Sequence, residues 1–117
     1  MSYKIDLNLD WKKIGVPSEA PIIAQGGSVL LFENIVSTCI TSKYPNGLAG
    51  PKLRSYNRIL NKLDSQRHEA QQSLQLETAE YELLKEIFND ETISILPGAT
   101  RLFFLYEERI QNAEISN

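Results

Sequence analysis

Hydrophobic and polar residues alternate at the start of the chain. Tyr3, Ile5, Leu7 and Leu9 stand against Lys4, Asp6, Asn8 and Asp10. A period of two puts one set on one face of an extended backbone, so this stretch predicts a strand with one face buried. Trp11 continues toward the core, and Gly15, Pro17 and Pro21 break the pattern into a loop. Residues 22–24 and 29–31 are short apolar runs on either side of a turn at Gly26-Gly27, and they predict two further strands of a small meander. From Phe32 the period changes. Phe32, Ile35, Val36, Cys39 and Ile40 follow i, i+3, i+4, i+7, i+8, one face of a helix ending near Lys43. In the turn Tyr44-Pro45-Asn46-Gly47, Pro fixes φ and Asn-Gly accepts positive φ. Gly50-Pro51 opens a second helix, with Pro where its missing N–H costs nothing. Leu53, Tyr56, Ile59, Leu60 and Leu63 are the expected inward stripe of that helix, which fades around residues 67–70.

The sharpest local signal lies in residues 73–88, SLQLETAEYELLKEIF. Leu74 and Leu76 alternate with polar neighbours as in a strand; then Leu83, Leu84, Ile87 and Phe88 recur at helical spacing. Between them Thr78 is the expected cap, offering a side-chain oxygen to the free N–H groups of the new helix, with Glu80 and Glu82 in its positive first turn. Asn89-Asp90-Glu91 reads as a stop and residues 92–96 as a short strand or extended connector. Pro97-Gly98 starts a last helix running to about Asn112, with Ala99, Leu102, Phe103, Tyr106 and Ile110 as its stripe. Residues 114–117 are expected to fray. The pattern predicts an α+β fold in one domain, residues 1–117: a small antiparallel N-terminal sheet packed by about four helices, with a mainly helical C-terminal two-thirds.

Composition changes this picture little. With 117 residues, 42% apolar and 23% charged, the chain is long enough for one core without disulfides or metal. The single cysteine, Cys39, falls on the inward helical face and the single histidine, His68, in a polar stretch, so no two-histidine metal site exists within one chain. Gly26-Gly27 lacks the spacing and the lysine of a phosphate loop. Asp6, Asp10 and Glu33 are carboxylates of the kind that meet in hydrolase sites, but nothing in their spacing requires it, and solvated strand and helix edges are the expectation. The expectation is a non-enzyme without cofactor or metal. Neither a basic-then-apolar leader nor an apolar run long enough to cross a bilayer is present, and a reducing, cytoplasmic setting without membrane association is expected.

Charge is more informative. The net −3 divides into 0 over residues 1–49, +4 over residues 50–68 and −7 over residues 69–117. Arg54, Arg58 and Lys62 lie four apart on the second helix, with Lys52 at its start. Like charges at this spacing repel by a few tenths of a kcal/mol per pair, and phosphate or carboxylate partners offset that. The carboxylates come either from outside or from the acidic C-terminal half; against nucleic acid stands a pI near 5.2. On the last helix, Phe104 and Leu105 lie off the main stripe, which marks them, with Arg101, as a candidate interface with a protein partner or a second copy.

The order of segments SVLLFENIV, KLRSYNRILNKLD, LQLETAEYELLKEIF and a closing apolar helix is similar in layout to small uncharacterised proteins of tailed bacteriophages and prophages. That resemblance implies a non-enzymatic accessory or structural protein of the host cytoplasm or the virion, and it carries no functional residues across. The leading expectation is therefore a protein-binding or assembly module. The alternative is a nucleic-acid-associated regulator using the basic helix of residues 51–67.

Overall fold

The computed structural model describes residues 1–8, 27–67, 69, 72–95 and 97–116. The predicted strand at residues 22–24, the loop before it, Asp10, Trp11 and His68 lie outside the described residues. Strand β1 (Ser2–Asp6) is followed by helices α1 (Gly27–Lys43) and α2 (Gly50–Gln66), strand β2 (Ser73–Glu77) and helix α3 (Thr78–Phe88). A 3-10 turn (Pro97–Ala99), helix α4 (Thr100–Gln111) and strand β3 (Glu114–Ser116) complete the order.

The α+β expectation holds, with three antiparallel strands and four helices among the described residues. The strands, however, come from three distant parts of the chain, in the order β2-β1-β3. Tyr3 opposes Leu76 on one side and Ile115 on the other, and Ile5 opposes Leu74. Residues 114–116 thus form an edge strand rather than a frayed tail, because β1 offers them an unpaired edge. The period of two is realised as expected: Tyr3, Ile5, Leu7, Leu74 and Leu76 are buried, while Lys4, Asp6, Gln75 and Glu77 face out. Helices α2, α3 and α4 cover the apolar face, and α1 packs across α2, α3 and α4. The Tyr81 hydroxyl donates to the Ile110 carbonyl at 2.8 Å, tying α3 to the end of α4.

Three local expectations are corrected. Residues 29–31 are not a strand, since α1 already begins at Gly27. Val29 extends the inward stripe back by one turn and is fully buried. Its N–H donates to Oε1 of the buried Gln72 (3.2 Å), and the Gln72 Nε2 donates to the Gln66 carbonyl (3.3 Å) at the end of α2. One side chain thereby satisfies backbone groups at the ends of two helices. Second, α2 buries Ser55, Ile59 and Leu63, a ridge of four-residue spacing. Leu53 stands two residues, about 200°, from that ridge and is 52% exposed rather than inward.

Third, Thr78 is the first helical residue of α3 and Glu77 is its N-cap. The Glu77 side chain accepts the N–H of Glu80, and the Glu80 side chain accepts the N–H of Glu77 at 3.2 Å. This reciprocal capping box satisfies two free donors at once. Its inner carboxylate, Glu80, is fully buried and paired with Lys62 of α2.

Candidate functional site

The basic stripe on α2 is not one surface. Lys62 reaches back to Glu80 beneath the α2–α3 interface. Lys52 donates to both oxygens of Glu86 (2.8 and 3.1 Å) and to the Tyr44 hydroxyl (2.8 Å), which in turn donates to Glu86. Its hydrogen bond to Glu86 and that to Tyr44 push the Lys52 ammonium up to about 12, and the same bond from Lys52 holds Glu86 below the usual carboxylate range. The acidic C-terminal half therefore supplies the partners of the two lysines. Arg54 and Arg58 remain exposed; Arg58 makes a long contact (3.5 Å) with Ser55. With Leu53, Asn57 and Asn61 they form the outer face of α2.

The candidate carboxylates are likewise engaged separately. Asp6 pairs with Arg109 at 2.9 Å and accepts from Asn8, while Glu33 pairs with Arg67 at 2.7 Å. Among the described residues no three His, Cys, Asp or Glu side chains are grouped to hold a metal. Cys39 is fully buried, and burial pushes its thiol up to about 12, far from a reactive thiolate. A polar cleft of about 410 Å³ beside the outer face of the sheet is lined by the Asp6–Arg109 pair, Lys4, Asn8 and Glu114.

The last helix gives the more distinctive surface. Phe103, Tyr106 and Ile110 are buried as its stripe requires, Leu105 is half-buried, and Phe104 is 57% exposed. The exposed ring ends a series of aromatic contacts that begins in the core. Tyr106 meets Phe32 edge-on at 4.9 Å, Phe32 lies parallel to Phe88 at 6.3 Å, Phe88 stacks on Phe103 at 5.1 Å, and Phe103 meets Phe104 edge-on at 5.2 Å. Such packing fixes ring orientation through the quadrupoles as well as by contact. Phe104 is therefore held in place from below although it is wet above.

It stands at the rim of a groove of about 570 Å³ between the end of α3, the connector at residues 93–95 and α4. Phe88, Ile93, Ile95 and Phe103 line it beside Phe104, and Asp90, Glu91 and Glu107 supply its carboxylates. Asp90 is already committed. It pairs with Lys43 and accepts from Thr92, and the Lys43 hydrogen bond keeps it well below its ordinary value. No ion pair joins Glu91 or Glu107 to a described residue. Arg101, exposed, lies one turn before Phe104 on the same helix.

Angular spacing on one helix marks Phe104 and Leu105, with Arg101 named beside them. It missed the connector and the acidic rim, because the connector has no period of its own and reaches the groove only through tertiary packing. No family model, curated protein or solved structure matches this chain.

Proposed function

We propose that the chain is a non-enzymatic protein-binding and assembly module that engages its partner through the Phe104 groove. The observation that supports this most directly is the exposed aromatic ring supported by a column of buried ones. Burying the exposed half of Phe104 is worth about 1–2 kcal/mol by area, a gain the isolated chain forgoes. Aromatic residues, phenylalanine among them, are enriched in the buried core of protein–protein contacts. An origin among tailed-phage or prophage accessory proteins, in the host cytoplasm or the virion, belongs to the same proposal and rests on the layout of segments alone.

The test is purification at native expression level, with the size of the species in solution and the proteins that accompany it. A discrete protein complex or homo-oligomer that is lost on Phe104→Asp supports the reading. A wild-type monomer without protein partners removes it. Nucleic acid as the co-purifying species favours the alternative, in which Arg54 and Arg58 alone of the basic stripe meet phosphates. Two such contacts give a slope of log K against log salt of only about −2.

A further inference from the structure

The partner best matched to the groove is a second copy of this chain, and we infer that the outer face of α2 on one molecule docks into the Phe104 groove of the next. This rests on the reading of the groove as a protein-binding site and names its occupant. Two surfaces of the chain are each incomplete and mutually complementary. The groove presents Phe104, Ile93 and Ile95 with two carboxylates, Glu91 and Glu107, that have no ion-pair partner among the described residues. The α2 face presents an exposed leucine, Leu53, beside two exposed arginines, Arg54 and Arg58. Arg54 and Arg58 are four residues, about 6 Å, apart along the helix. An apolar anchor with two cations to one side of it thus meets a groove of mixed apolar and polar lining that carries two anions.

Both sides are rigid. Helix α2 is pinned to α3 by Lys52–Glu86 at one end and Lys62–Glu80 further along, and Phe104 is backed by Phe103. Helices α2 and α4 each pack on α3, and both Leu53 and Phe104 remain more than half exposed, so one molecule's α2 face does not fill its own groove. A helix laid into an apolar groove is a recurrent mode of recognition, with the anchor giving affinity and the flanking charges register. Because the two surfaces differ, the contact is heterologous: a joined pair keeps one free groove and one free α2 face, and assembly grows to a ring or filament rather than stopping at a dimer.

The experiment uses sedimentation of the full chain at several concentrations and salt levels. Wild type should associate beyond a dimer, and rising salt should weaken the association as the two charge pairs are screened. Phe104→Asp and Leu53→Asp should each be monomeric alone. Mixed in equal amounts they should give a 1:1 dimer, since the intact α2 face of the first fits the intact groove of the second. Arg54→Glu and Glu107→Lys, both at the surface, provide a second set that does not burden the core. Each should weaken association at least about tenfold, and the chain carrying both should recover it. A mixture that stays monomeric overturns the inference, as does a Leu53→Asp variant that associates like wild type. If that variant still associates while Phe104→Asp does not, the copies meet groove to groove and the broader reading survives. Association of a foreign protein lost on Phe104→Asp, with wild type itself monomeric, also overturns the self-docking while leaving that reading intact.

Discussion

Replacing Lys62 by Met should destabilise the fold by about 2 kcal/mol, whereas Arg54→Gln and Arg58→Gln should each stay within about 0.5 kcal/mol of wild type. The difference follows from what each cation touches. Glu80 has no exposed surface, and its carboxylate is held by two groups, the Glu77 N–H and the Lys62 ammonium. Removing one partner of a buried pair commonly costs about 3–5 kcal/mol, because a charge is left in a medium that solvates it poorly. The Lys62 side chain is 35% exposed, so water reaches the vacated position and the loss is smaller, about 2 kcal/mol. Methionine keeps most of the aliphatic stem, so packing changes little. Arg54 and Arg58 project into water, and exposed charges contribute little. Urea unfolding followed by circular dichroism measures this directly, with a fall in midpoint of about 1 M for Lys62→Met at unchanged slope. The double variant Lys62→Met with Glu80→Gln should recover part of the loss, since no full charge is then buried. A Lys62→Met midpoint equal to wild type would refute the assignment of Lys62 to the core boundary, and the basic stripe would again be a single surface.

Three other outcomes are expected. Glu77→Ala should cost about 1 kcal/mol through loss of the cap, while Thr78→Ala should be close to neutral in the same unfolding assay. Stability should fall with acid below the ordinary carboxylate values of 3.8 and 4.5, because Asp90 and Glu86 are depressed on folding and lose their contribution as pH drops through their folded values; Asp90→Asn should flatten that acid limb of the unfolding midpoint. At the alkaline end Lys52 acts with the opposite sign, its contribution present below its ordinary 10.5 and lost as pH rises through about 12. Cys39, buried and with its thiol pushed up to about 12, should resist thiol reagents in the native state and react fully in denaturant.

What the sequence makes legible is what a short window determines. The stripes of α1, α3 and α4 and the alternation in β1 and β2 are set by neighbours within two turns or a few pleats, and they appear at the expected residues. What it hides is non-local. Residues 114–116 become a strand only because β1, at the other end of the chain, has a free edge. The start of α1 depends on Gln72, more than forty residues away, accepting the Val29 N–H. Threonine caps well in isolation, which points to Thr78, but Glu77 takes the cap of α3, where the box it makes with Glu80 also seats a carboxylate for Lys62. The same distinction divides the candidate surfaces. Phe104 stands out by angle on its own helix, but the acidic rim around it arises where three segments meet, and the separation of Lys52 and Lys62 from the two arginines depends on residues of α3.

We propose that Phe104 serves association and not folding. The most direct test measures both on one sample: the urea midpoint of Phe104→Asp together with its mass in solution and in the presence of the partner that accompanies wild type. The variant should unfold with a stability within about 1 kcal/mol of the wild-type monomer, with the associated species gone, because the ring is 57% exposed and its loss opens no cavity in the core. A variant that unfolds at much lower urea, or one that keeps wild-type mass and partners, would contradict it.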